Sequence, residues 1–238
     1  MYLFIDAGNT RIKYAGHDGG GWLFHEAVPS DASVPLVLPA GFVPQRILIA
    51  SVAGAASNAF IAAQLAPWAE RLEWFRSTTE CCGLRNGYAD PSQLGADRWA
   101  GAVAAWRRVQ GACLVVAAGT ATTVDVITEE GVFAGGCILP GLEMMRRALA
   151  GGTAGLPFAT GHFEAVPRNT ADAIFSGCLN AQLGAIARMR SSLPADAPVL
   201  LAGGAGAALR DGIAAPLEVL PSLVLEGLYR AASSGCRY

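Results

Sequence analysis

The stretch DAGNTRIK at residues 6–13 ends an apolar run in a carboxylate, breaks on a glycine and returns with a lysine. Phosphoryl transfer asks for this kind of equipment. A protein that performs it must hold a polyphosphate, organise a metal ion and set an acceptor hydroxyl in line. Gly8 permits a tight backbone path, the amides that follow can face phosphate oxygens, and Asp6 can hold Mg²⁺ directly or through water. Lys13 reads either as compensation for phosphate charge or as an exposed strand lysine. An ordinary hairpin turn is the bland alternative for the whole segment.

A second turn of the same kind is AAGTATTVD, residues 117–125. Thr120 offers phosphate a hydroxyl and an amide, while Thr122 and Thr123 also suit a strand because they are β-branched. Asp125 is either a second carboxylate on the metal side or the polar face of an alternating strand. The acceptor's proton needs a base beside a cation that can fix the acceptor's own charge. Asp97 and Arg98 in GADR, residues 95–98, supply both. Their alternatives are an acid settled on a helix dipole and a solvated surface charge. Thr170, in NTADA, is a substrate contact or part of a helix N-cap.

These residues need elements to position them. YLFID, RIKYAG and GWLFHEA read as a three-strand meander, followed by a buried strand RILIASV, a helix SNAFIAAQLAPW and a short strand LEWF. A helix from Asp97 closes at Gly111, where glycine suits a left-handed cap. CLVVAAGTATTVDVI and GVFAGGCIL then repeat the opening theme of strand, small-residue turn and returning strands, so the chain is expected to be internally duplicated. PGLEMMRRALA is expected to be a helix with proline at its first position, and NTADAIFSGCLNAQLGAIARMR a long helix. VLLAGGAGAAL is a strand entering a glycine-rich turn that lets backbone approach a nucleotide. LEVL and a final helix PSLVLEGLYRAA end the chain.

Composition narrows the class. The 238 residues suffice for two modest domains, and 53% hydrophobic against 15% charged residues can bury a large core. A formal charge of −2 with no block of like charge argues against nucleic acid as a partner, and the apolar runs are too broken to span a membrane or to serve as a signal peptide. A cytoplasmic protein with a small ligand is the expectation. Cys81, Cys82, Cys113, Cys137, Cys178 and Cys236 form no C-x-x-C pair and no zinc-finger spacing, so neither a metal nor a disulfide role is expected of them; Cys113, Cys137 and Cys178, in apolar segments, are expected to be reduced core thiols, and Cys81 and Cys82 are less settled. None of the three histidines is assigned chemistry. No nucleophile elbow and no Walker sequence is present.

DAGNTRIK, GADR, AGTATTVD, GGCILPG at 135–141 and NTADAIFSG at 169–177 stand in an order that resembles the type III pantothenate kinases, and the likeness spans most of the chain. The resemblance implies an α/β, duplicated ribonuclease-H-like fold of the actin-like ATPase superfamily, with domains at 1–110 and 111–238 and ATP in an interdomain cleft. It implies ATP-dependent phosphorylation of pantothenate, with Asp97 as general base and Tyr88, Gly95, Ala96, Asp97, Arg98 and Thr170 around the substrate. Asp6, Ala7, Gly8, Asn9, Thr10, Arg11, Ile12 and Lys13, with Thr120, would bind ATP, and Asp6 would hold Mg²⁺, through water. A homodimer is implied as well.

One position departs from the pattern. The resemblance leads us to expect an acid that binds a monovalent cation, potassium or ammonium, where this chain has Ala117, and a methyl group is no cation ligand. That leaves two alternatives to the active enzyme: a non-catalytic accessory or regulatory protein that retains the nucleotide cleft, or a superfamily kinase for another small alcohol.

Overall fold

The opening apolar run forms β1 (Tyr2–Ala7), followed by β2 (Arg11–His17) and β3 (Trp22–Pro29). These are features of a computed structural model that describes every residue except Ala159 and Arg237. β1, β2 and β3 are consecutive antiparallel neighbours, and β4 (Arg46–Ser51) and then β5 (Leu72–Phe75) add on the far side of β1 in parallel. The order is β3-β2-β1-β4-β5. Leu3, Phe4 and Ile5 are all buried, which explains why β1 reads as a continuous apolar run rather than an alternating one. Between β4 and β5 runs α1 (Gly54–Gln64), whose Ile61 joins Leu3, Ile5 and Ile49 in the core. After β5 come a small hairpin, β6 (Glu80–Cys81) and β7 (Leu84–Asn86), and then α2 (Ala96–Val109).

The second part repeats this plan. β8 (Cys113–Ala118), β9 (Ala121–Ile127) and β10 (Val132–Pro140) are an antiparallel meander, followed by α3 (Leu142–Gly152) and α4 (Thr170–Arg190). β11 (Val199–Ala202) pairs in parallel with β8, α5 (Gly206–Arg210) follows, and β12 (Leu217–Val219) pairs in parallel with β11. Within this part the order is β12-β11-β8-β9-β10. Numbered within its own part, each sheet therefore reads third, second, first, fourth, fifth, with the same strand directions. The duplication expected from the turns extends to the whole topology.

The last helix, α6 (Leu223–Ser234), packs on β1 and β4. The chain accordingly divides into a first compact unit, residues 1–108 with 222–238, and a second, 109–221. This corrects the expected 1–110 and 111–238 division at its end. Residues 222–238 belong with the first unit because Leu225, Leu228 and Ala231 are buried there. Gly227 explains how α6 can lie so near α2: a β-carbon at 227 would collide with the carbonyl of Ala100.

Three local expectations are also corrected. Gln110, with φ 52°, takes the left-handed position after α2 that glycine was expected to fill at 111. Pro140 closes β10, and Gly141, not a proline, caps α3. Cys81 and Cys236, of which no disulfide was expected, are joined by one.

Candidate active site

In the first unit Asp6 occupies the C-terminal end of β1, directly across from Lys13 in the β1–β2 register. The Lys13 Nζ to Asp6 Oδ2 distance is 3.8 Å. The turn between them closes when the Gly8 amide donates to the Arg11 carbonyl at 3.0 Å. The carbonyls of Asn9 and Thr10 accept from Ser30 Oγ and the Ser30 amide, so the oxygens that would repel an anion are already occupied. Ser30 was not singled out from sequence, since a serine past a third strand carries no motif. Ala7 and Ile12 are fully buried, with side chains in the core. As ATP ligands they could contribute backbone only, which leaves Gly8 to Arg11 and Lys13 as the accessible part of the expected set.

Asp97 lies in the first turn of α2, where the helix dipole favours an acid. Its Oδ1 accepts from the Arg98 amide at 2.8 Å, and no side chain hydrogen-bonds to it among the described residues. Gly95 leaves the room: a β-carbon at 95 would stand 2.7 Å from Asp97 Oδ1. Arg98 is buried beside Tyr88. Its Nη1 donates to the Tyr88 hydroxyl at 2.8 Å, and its guanidinium carbon lies 5.7 Å from the ring centroid. The Tyr88 backbone amide donates to Asn86 Oδ1 at 3.0 Å, so Asn86, unremarked in the sequence, sets the approach of the tyrosine.

Electrostatics tie the two carboxylates together. Burial pushes Asp6 up to about 6; Lys13 pulls it down and the charge of Asp97 raises it further. Burial also raises Asp97, against the pull of the Arg98 amide and guanidinium. Lys13, 3.8 Å from Asp6, and the Arg98 guanidinium beside Asp97 offset the two charges only in part, since both carboxyls stay raised. A divalent cation at Asp6 would favour its ionised form, so this carboxylate fits Mg²⁺.

In the second unit the β8–β9 turn carries Thr120, exposed at its tip. The Gly119 amide donates to the Ala121 carbonyl at 3.0 Å and the Gly141 amide to the Thr120 carbonyl at 2.9 Å. A β-carbon at Gly141 would strike the carbonyls of Gly119 and Thr120, and one at Gly203, where φ is 98°, would strike Ala118. Glycines from two other segments thus close on the turn, which leaves bare backbone around it. Asp125 is buried on β9 with Gly136 directly beside its carboxylate. Thr170 is the first residue of α4, and its neighbour Asn169 is the cap, accepting from the Asp172 amide at 2.9 Å. Thr170 lines a cavity of about 600 Å³ with Leu149, Leu156, Arg168 and Ile174.

Ala117 pairs with Thr123 across β9 and with Ala202 across β11. Among the described residues the buried Thr123 hydroxyl has no hydrogen-bond partner. The Ala117 methyl supplies no ligand for a monovalent cation, and the Thr123 hydroxyl opposite it is a single neutral donor.

The twice-used sheet order, with an acid and a glycine turn closing the first β-hairpin, defines an α/β protein of duplicated ribonuclease-H-like fold, in the class of actin-like ATPases and sugar kinases. The fold is shared, at 20% identity and TM-score 0.66 over 98% of both chains, by a Campylobacter jejuni protein described as a Baf family transcriptional activator. It is shared at 13% identity and TM-score 0.54, over 98% of both chains, by component A of the Acidaminococcus fermentans (R)-2-hydroxyglutaryl-CoA dehydratase. The chain belongs to the type III pantothenate kinase family, whose model matches residues 2–192. It is 48% identical over 236 residues to the type III pantothenate kinase of Aromatoleum aromaticum, covering 96% of each chain. It is 43% identical to that of an Azoarcus species, covering 96% of this chain and 89% of the relative.

Proposed function

We propose that the chain transfers the terminal phosphoryl group of ATP to the primary hydroxyl of pantothenate, the first step of coenzyme A biosynthesis, by direct in-line displacement with Asp97 as general base. The observation that carries this reading is the state of Asp97. It is a desolvated carboxylate with raised proton affinity, held by one backbone amide and within electrostatic reach of Asp6. A base of that kind takes the hydroxyl proton as the alcohol oxygen bonds to phosphorus and the bond to the bridging oxygen of ADP breaks.

Each neighbour has a part. In this reading Arg98, whose guanidinium donates to the Tyr88 hydroxyl, pairs with the acceptor's carboxylate, and Thr170 contacts the acceptor. The Gly8 to Arg11 backbone, Lys13 and Thr120 receive the polyphosphate. Asp6 would hold Mg²⁺, which when bound neutralises charge developing on the phosphoryl oxygens. No step is assigned to potassium or ammonium.

A homodimer at work in the cytoplasm completes the reading. Supporting it, the second unit exposes Met144, Phe158, Phe163 and Val166, apolar surface that a second copy would cover. Among the described residues no helix is long and apolar enough to cross a membrane.

The test is ATP consumption measured against a panel of small alcohols. Turnover with pantothenate alone supports the proposal. Turnover with a different alcohol favours another acceptor, and binding of ATP without turnover favours the accessory protein that Ala117 brings to mind.

A further inference from the structure

Three cysteines outside the phosphate-handling residues converge in the first unit. Cys81 ends β6, Cys82 opens the β6–β7 turn, and Cys236 follows α6; their sulfurs all lie within 4.8 Å of one another. Cys81 and Cys236 are bonded, while Cys82 Sγ stands 3.7 Å from Cys81 Sγ and 3.5 Å from Cys236 Sγ. A disulfide needs two of these sulfurs and leaves the placement of the third unexplained.

That placement is held against backbone preference. Cys82 has φ 54° and Gly83 φ 80°, the two left-handed positions of a type I′ hairpin turn, which ordinarily begins with asparagine, aspartate or glycine. A cysteine there is held against the steric preference of an L-residue. The turn brings the Cys82 amide to donate to Cys236 Sγ at 3.1 Å, and Ser234 Oγ lies 3.0 Å from the sulfurs of both Cys82 and Cys236. An amide donor aimed at sulfur stabilises a thiolate far more than a neutral disulfide, and the Ser234 hydroxyl, which also reaches the Ala231 carbonyl at 3.2 Å, can turn to a thiolate as a second donor. Around a tetrahedral ion with metal–sulfur bonds of ~2.3 Å, the sulfurs stand about 3.8 Å apart. The distances from Cys82 already approach that spacing.

We propose that the reduced form of this cluster is a three-thiolate site for one borderline-soft divalent ion of the zinc(II) class. A thiol reductant gives two electrons and its own two protons to the Cys81–Cys236 bond and leaves as its disulfide; a phosphine gives two electrons, takes the oxygen of one water to leave as its oxide, and that water's two protons complete the thiols. Zinc(II) then forms three bonds to sulfur while the three thiol protons pass to solvent. The fourth position is left to water or the Ser234 hydroxyl. Metal and disulfide exclude each other. The ion would pin the end of the chain to the hairpin that leads, through Asn86, to Tyr88.

The full chain, reduced and freed of metal under anaerobic conditions, should take up one equivalent of cobalt(II) with the intense ultraviolet absorption of sulfur-to-cobalt charge transfer, and zinc(II) should abolish it. Cys82→Ser, checked for native circular dichroism, should weaken zinc affinity by more than the roughly 10–100-fold that loss of an outer-shell partner costs. As a readout free of mutation, zinc should protect Cys81, Cys82 and Cys236, and not Cys137, from alkylation. The proposal is overturned by absence of the charge-transfer band, by a band unchanged in Cys82→Ser, by protection of other cysteines, or by a disulfide that resists reduction while the protein stays folded.

Discussion

Gly95 and Asp97 are matched: the space a β-carbon would fill at 95 is taken by the Asp97 carboxylate, whose Oδ1 would be 2.7 Å from it. Gly95→Ala must therefore turn the carboxylate away while leaving α2 intact. Misplacement of a reacting group by about 1 Å can cost on the order of 10²-fold. We expect kcat to fall by that order with little change in melting temperature, measured side by side on the purified variant.

Asp97→Asn keeps the shape and removes the base. Turnover should drop by about 10²–10⁴-fold while ATP binding persists. The raised proton affinity of Asp97 adds a signature: kcat/KM of the parent should fall on the acid side through a midpoint above the ordinary 3.8 of an aspartate. A pH profile that lacks this limb removes Asp97 from the role.

Asp6 gives a stability prediction. Its folded value of about 6 exceeds the ordinary 3.8, so the folded protein binds that proton more tightly than the unfolded chain. The stabilisation from the proton is complete below 3.8 and is lost as pH rises through about 6, leaving a penalty of about 3 kcal/mol above it. Without nucleotide or metal, Asp6→Asn should thus gain stability relative to the parent between those limits. Urea unfolding of both proteins at the two ends of the range checks the sign.

Ala117 predicts indifference to potassium and ammonium. Replacing either by a bulky organic cation at constant ionic strength should leave the initial rate unchanged. A rate that collapses would show that carbonyl and hydroxyl oxygens alone assemble a site.

Gly227→Ala sets a side chain against the Ala100 carbonyl at the crossing of α6 and α2. Overpacking of this kind costs about 1–3 kcal/mol, more than the helix propensity alanine gains. For a chain of this size a net loss of about 1 kcal/mol lowers the melting temperature by about 2–4 °C. Calorimetry would read the shift directly.

Much of this was legible before the structure because it is local. β1 is a run of adjacent apolar residues, the Gly8 and Gly119 turns are marked by glycine, and Asp97 opens an alanine-rich helix. What stayed hidden depends on distant packing. Cys81 and Cys236 are 155 residues apart, and no spacing rule connects them. Gln110 takes a left-handed backbone one residue before the glycine suited to it. The burial of Ala7 and Ile12 beside an otherwise accessible turn follows from their strand positions, which a ligand-binding motif taken as one unit does not distinguish.

The return of α6 to the first sheet has a consequence for birth on the ribosome. Residues 1–108 emerge early yet lack the helix that covers β1 and β4, so the half made first is the half finished last. The intervening segment, 109–221, contains five neighbouring strands, β8 to β12, and can mature while its elder waits. A nascent chain stalled short of residue 222 should accordingly protect the later-born body from protease and leave the earlier one open to it.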